Sequence, residues 1–174
     1  LLICNSMFFI GFLDDLKIKI APSKRLSLMI AFLFFFIYLF SIKISNLDIP
    51  FLIIFLSNNI FSSIFVVLCF LFVINGANLI DGFNGLLALN LIIINSILAY
   101  INLADGINDF SIFIIGQIII LFSFLLFNFP SAKIFFGDSG SYLMGSLVAL
   151  NVIITNNLNP EYSSFFFCIL LFYL

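Results

Sequence analysis

Apolar and polar positions in this chain are segregated into long blocks and short islands rather than interleaved. Apolar blocks run near residues 26–44, 59–76, 84–102, 110–128 and 139–156, with a partial block at 1–13 and another from about 163. Each full block is close to the ~20 residues that an α-helix needs to cross the hydrocarbon core of a bilayer. A spanning β-strand would alternate in polarity with period two, which these Phe, Ile and Leu runs do not. The pattern therefore predicts an all-α fold: a polytopic transmembrane helical bundle of about five complete spans plus two truncated ones. It forms a single transmembrane domain, 1–174, cut at both ends, since the chain begins and ends inside apolar runs at Leu1 and Leu174. Residues 41–58 are the exception. The stretch Ser41-Ile42-Lys43-Ile44-Ser45-Asn46-Leu47-Asp48-Ile49-Pro50 alternates, which predicts a small extended segment outside the bilayer.

Composition sharpens this picture. With 64% hydrophobic residues, 8% charged, 27 Phe and a mean hydropathy of +1.35, the apolar surface is far too large for a water-soluble domain. The Phe residues are spread through every span and read as lipid-facing and interhelical packing. Cys4, Cys69 and Cys168 lie inside apolar runs with no metal-ligand spacing and behave as small hydrophobes. No basic stripe of the kind that binds nucleic acid is present. Alternating spans put loops 14–25, 77–83 and 129–138 on one side and loops 45–58, 103–109 and 157–162 on the other. Lys17, Lys19, Lys24, Arg25 and Lys133 fall on the first side and only Lys43 on the second, so the positive-inside bias makes the first side cytoplasmic.

The same side collects Asp14, Asp15, Asp81 and Asp138, whereas Asp48, Asp105, Asp109 and Glu161 fall opposite. Asp-Gly and Asn-Gly pairs are ordinary turn formers, and that reading suffices for Asp105-Gly106. Four carboxylates beside Lys17, Lys24, Arg25 and Lys133 ask for more. A mixed-sign cluster of this kind suits a divalent cation and a phosphorylated ligand, because Mg²⁺ needs only one or two protein carboxylates when phosphate oxygens complete its shell. A helix starting after Gly140 would present its N-terminus to the same anion. The chain has no His, no Walker-type loop and no Ser-His-Asp set, so acyl transfer and ATP hydrolysis find no support.

Three islands stand in a recognisable order: Asp14-Asp15, then Asn78-Leu79-Ile80-Asp81-Gly82-Phe83-Asn84-Gly85-Leu86, then Asn128 through Ser141. Together they resemble the polyprenyl-phosphate N-acetylhexosamine-1-phosphate transferases, members of glycosyltransferase family 4. The resemblance covers nearly the whole chain, which is similar to the catalytic middle of such an enzyme. It implies transfer of a sugar-1-phosphate from a UDP-sugar to undecaprenyl phosphate, with release of UMP. It further implies Asp14 and Asp15 as catalytic residues and Asn78 and Asp138 as groups at a Mg²⁺ (or Mn²⁺) ion. Asp81, Asn84, Asn128, Lys133 and Phe136 would then line the substrate site. Asn84 stands where many members carry Asp. The stretch Gly137 to Gly145 is more similar to the branch that starts O-antigen, enterobacterial common antigen or teichoic acid linkage units than to the muramoyl-pentapeptide branch. The expected location is the bacterial inner (cell) membrane, with the site on its cytoplasmic face. Expected partners are the UDP-sugar, undecaprenyl phosphate, membrane lipid and, as an open candidate, a second copy in a homodimer; nucleic acid is not among them. The family's His-rich loop and amino-terminal spans are not in this sequence, which predicts that these 174 residues alone are inactive. The rival reading is a fragment of a transporter or channel, although acids in such proteins line a path at mid-membrane rather than one interface.

Overall fold

The computed structural model describes residues 1–16, 20–44, 54–164 and 166–167. Among them stand six long helices: α1 (Leu2–Asp15), α2 (Pro22–Leu39), α3 (Asn59–Ile80), α4 (Leu86–Ala104), α5 (Asn108–Asn128) and α6 (Gly137–Leu158). The last five are each long and apolar enough to cross a bilayer. The expected helical membrane bundle is therefore what forms. The extended segment falls mostly on 45–53 and lies outside the described residues, as do Lys17, Lys19, Asp48, Cys168 and most of the final truncated span.

Local chemistry sets the helix ends, and it moves the start and end of α2, the end of α3 and the start of α6 from where hydropathy put them. α2 starts at Pro22, a residue suited to a first helical turn because it has no N–H to leave unpaired, so Ser23, Lys24 and Arg25 are helical. It ends at Leu39, before Ser41 takes a positive φ of 49°. α3 begins where Asn58 Oδ1 accepts the N–H of Ile60 at 2.9 Å, and it continues through Asn78 to Ile80. Asn78 is thus helical rather than part of a loop over 77–83. α6 begins at Gly137, which places Asp138 and Ser139 in its first turn instead of the preceding loop. Asp105-Gly106 makes the plain turn expected of it, Gly106 having φ +77°.

Burial and polarity are matched helix by helix. α6 is the least apolar of the five spans and the most enclosed, and it packs on α1, α3 and α4. Ser141, Ser146, Asn151 and Thr155 on α6 are all fully buried, hidden from lipid by the other helices. α5 is the most apolar, and little of it is buried, so its Phe and Ile side chains meet lipid. Two glycines set how closely α6 is approached. A Cβ at Gly145 would come within 2.9 Å of the Ile74 backbone, and one at Gly11 would overlap the backbone of Asp138 and Ser139.

Hydrogen bonds show which helix ends lie together. The ends of α1, α3 and α5 and the starts of α2, α4 and α6 share one end of the bundle, through contacts set out below. At the other end Lys43 Nζ donates to Asn59 Oδ1 at 2.7 Å, and the Asn157 amide donates to the Lys43 carbonyl at 2.7 Å. The described charges sort accordingly. Asp14, Asp15, Lys24, Arg25, Asp81, Lys133 and Asp138 stand at one end, and Lys43, Asp105, Asp109 and Glu161 at the other.

Candidate active site

The site is built around the first turn of α6, whose leading N–H groups have no intrahelical acceptors. Phe136, the residue before that turn, provides no side-chain cap. Carboxylates from elsewhere in the chain do so instead. Asp15 at the end of α1 accepts the N–H of Asp138 at Oδ1 and that of Ser139 at Oδ2, both at 3.0 Å. Asp81, just past α3, accepts the Gly137 N–H at 3.2 Å. Gly137 has φ +67°, and a Cβ there would press on the Asp15 carboxylate oxygens at 3.0 and 3.1 Å, so only glycine permits this clasp. The expectation that a helix after Gly140 offers its N-terminus to a ligand anion is corrected here. The helix starts at Gly137, and that end is already held by Asp15 and Asp81.

These two caps carry opposite electrostatic signatures. For Asp15, burial pushes the carboxyl up, but the Ser139 hydroxyl and the two backbone N–H groups outweigh it and hold the group below its ordinary value. For Asp81, burial again pushes upward, the N–H groups of Phe136 and Gly137 oppose it incompletely, and the nearby Asp15 charge adds to it. Its carboxyl is therefore held above its ordinary value.

Asp14 points elsewhere. One residue along a helix is a turn of about 100°, which directs the two neighbouring carboxylates to different partners. Asp14 Oδ2 accepts from Arg25 Nη1 at 2.5 Å, and the same nitrogen donates to Asp138 Oδ2 at 2.8 Å. Arg25, on the first turn of α2, thus ties α1 to α6. Its guanidinium carbon lies 5.6 Å from the centre of the Tyr142 ring, one turn further along α6. The three charged side chains are 22–32% exposed, so solvent still reaches them. Arg25 is outside the three motifs. Its signal in sequence is a basic residue just after a helix-starting proline, eleven positions from Asp14.

The remaining candidates divide into two groups. Asn78 joins the α6 turn, its Oδ1 accepting from the Ser141 hydroxyl at 2.9 Å. Asn128 is 3% exposed and spends both ends of its amide on backbone, accepting the Gly85 N–H at 2.5 Å and donating to the Ile134 carbonyl at 2.6 Å. It fastens the turn before α4 to the loop before α6. Asn84 is exposed and donates to the Pro130 carbonyl at 2.9 Å, a second tie between the same loops. The Phe136 ring stacks on Phe124 with centroids 3.8 Å apart. The Lys133 side chain is exposed beside these loops.

Among the described residues no three His, Cys, Asp or Glu side chains form a metal cage. The pair formed by Asp14 and Asp138, with Asn78 on the adjoining turn, nonetheless supplies hard oxygen donors from three helices. That set fits an ion such as Mg²⁺, which keeps waters and takes few protein ligands. Chemically, the end of the bundle offers two partly solvated carboxylates, a guanidinium, an exposed ammonium and loops cross-tied by amides.

Comparison with known proteins identifies the family. The family model for glycosyl transferase family 4 matches residues 1–156. Among curated proteins, the chain is 35% identical over 158 residues to a phospho-N-acetylmuramoyl-pentapeptide-transferase of Geobacillus sp. (strain WCH70), covering 84% of this chain and 48% of that protein. It is 33% identical over 156 residues to the enzyme of the same name from Listeria welshimeri, covering 83% and 48%. For the one from Clostridium perfringens (strain 13 / Type A) the values are 32% over 155 residues, 84% and 49%. The chain spans about half the length of these relatives. With the family match running through all three motifs and across α1 to α6, the chain belongs to glycosyl transferase family 4.

Proposed function

We propose that this chain is the catalytic middle of an integral membrane enzyme that transfers a sugar-1-phosphate from a UDP-sugar to undecaprenyl phosphate at the cytoplasmic face of a bacterial cell membrane. The observation that carries the reading is the meeting of Asp14 and Asp138, from the first and last helices, on Arg25 at the same bundle end as Asp81 and Lys133. Phosphoryl transfer asks a protein mainly for alignment and charge neutralisation. An oxygen of the lipid phosphate attacks the sugar-bearing phosphorus of the UDP-sugar in line. The bond from that phosphorus to the bridging oxygen breaks, and UMP leaves with the electron pair. No general base is needed, because a phosphomonoester with a second pKa of about 6 is already largely dianionic at neutral pH. Asp14 and Asp138 would hold Mg²⁺, which when bound offsets the charge of the diphosphate. Arg25 and Lys133 supply further positive charge toward phosphate oxygens, while Asp15 and Asp81 keep the first turn of α6 in place. An open hollow lined by Ser23, Lys24, Ser27 and Leu28 on the α2 turn that bears Arg25 suits entry of a lipid headgroup from the membrane side.

The donor has two readings. The pattern from Gly137 to Gly145 favours an N-acetylhexosamine donor for cell-envelope polysaccharide, whereas the names of the relatives favour a muramoyl-pentapeptide donor. Both make the same phosphorus–oxygen bond. The test is UMP release by the full-length parent protein in undecaprenyl-phosphate micelles, with and without Mg²⁺. UDP-GlcNAc, UDP-GalNAc and UDP-N-acetylmuramoyl-pentapeptide would be offered separately. Mg²⁺-dependent release with one donor supports the reading and names the branch. No release with any of them, from protein that is folded and complete, removes it.

A further inference from the structure

Among the described residues Arg25 is the one charged group that touches both members of the carboxylate pair, and it belongs to none of the motifs. We propose that Arg25 is a resident counter-ion of the Asp14–Asp138 pair, holding the two acids together before a divalent cation binds and giving them up when it does. The proposal rests on the reading of this pair as a metal site.

The physical argument begins with the acids. They come from α1 and α6 and share one guanidinium nitrogen, with Oδ2 contacts of 2.5 and 2.8 Å. Without a cation between them, two partly desolvated carboxylates would repel, and α1 and α6 would be driven apart at the tip where Asp15 clasps the α6 amides. One guanidinium charge offsets only one of the two carboxylate charges, but it does so whatever the metal supply, and the charge left over is what a divalent cation would meet. The guanidinium charge opposes any incoming cation and competes for the same oxygens.

The surroundings of Arg25 suit release as well as holding. Only Nη1 is engaged with the acids; Nε and Nη2 make no hydrogen bond to the described residues, leaving donors of the planar fork for phosphate oxygens. The Tyr142 ring beside the guanidinium is itself fully buried on α6, which gives the cation a face to rest on once it has left the carboxylates. Arg25 is therefore a positioning residue for the acids in one state and a phosphate-facing cation in the other.

The discriminating measurement is metal affinity rather than rate. Mn²⁺ binding to the full-length protein, followed by its electron paramagnetic resonance without nucleotide or lipid, would be compared for wild type, Arg25→Gln, Arg25→Lys and Asp138→Asn. The expected result is that Asp138→Asn loses binding, Arg25→Gln binds Mn²⁺ about tenfold more tightly and Arg25→Lys stays near wild type, the size expected for removing one screened charge beside the ion. Turnover should fall in Arg25→Gln even at saturating metal, so affinity and rate move in opposite directions. Unchanged or weaker Mn²⁺ binding in Arg25→Gln, with Arg25→Lys showing that the fold tolerates the site, overturns the proposal while leaving the transferase reading intact. Transfer by a wild type that binds no Mn²⁺ also overturns it. Mn²⁺ binding without transfer from any UDP-sugar would instead remove the transferase reading.

Discussion

Asp14 and Asp15 are adjacent in sequence and separate in their contacts because a helix turns them apart. Asp14 faces the ion pair with Arg25, and Asp15 faces the amides of α6. Asp15 and Asp81 cap the same turn with oppositely displaced acidities, which predicts mutational effects of opposite sign. The lowered Asp15 value means its stabilisation is present above the ordinary 3.8 and is lost as pH falls through the folded value. The raised Asp81 value means a penalty that is absent at low pH and opens as pH rises from 3.8 through the folded value. In thermal unfolding of the detergent-solubilised protein, Asp15→Asn is expected to lower Tm at neutral pH, with the gap closing below pH 3.8. Asp81→Asn is expected to leave Tm equal or higher at neutral pH while impairing transfer. A lower Tm for Asp81→Asn at pH 7 would contradict the assignment. The motifs make all four acids legible in sequence, but not their division of labour. Nothing local tells that Asp15 meets a backbone 123 positions away, or that the amide of Asn128 is used up on two loops.

At the scale of helices, the polar content of α6 explains its place in the bundle. Asn151 Nδ2 donates to Asn95 Oδ1 on α4 at 3.1 Å and to Gln117 Oε1 on α5 at 2.9 Å, a three-helix junction within the span. Replacing Asn151 by Leu would strand two buried carbonyl oxygens among apolar side chains. A loss of about 1–2 kcal/mol is expected, in the upper range for interhelical hydrogen bonds in membranes. It would be read as earlier unfolding in a titration from mild detergent into SDS, with Asn95→Leu partly offsetting it. Hydropathy located every described span, because span length and apolarity are local properties. It misplaced the ends of α2, α3 and α6, which Pro22, the continuing helix through Asn78 and the glycine at Gly137 decide. The junction of Asn95, Gln117 and Asn151 was not readable at all. Single amides in apolar runs carry no sign of which others they will meet.

For the molecule as a whole, alternation of six helices puts the chemistry at one end and leaves Lys43, Asp105, Asp109 and Glu161 at the other. If the site faces the cytoplasm as proposed, Lys133→Cys should be labelled by a membrane-impermeant thiol reagent only after cells are opened. Glu161→Cys should be labelled in intact spheroplasts. Reversal of that pattern would invert the proposed orientation and remove the site from its nucleotide donor. The sorting of charges between the two ends was legible in sequence, since it depends only on span count, whereas the choice of the cytoplasmic end rests on the Lys and Arg bias and is what this labelling tests.

The close approach at Gly11 bears on all three scales. With no side chain there, α1 and α6 touch main chain to main chain directly beside Asp138. The carboxylate proposed to hold the metal is therefore located by a hard stop rather than by the compliance of side chains, in the way a shaft is seated against a shoulder. Adding a single methyl group would not remove any functional group, yet it would lift the tip of α6 off its seat. A shift on the order of 1 Å at a reacting centre can cost about a hundredfold in rate. A residue with no chemistry of its own, a full turn below the acids, thereby sets the tolerance to which the site is assembled.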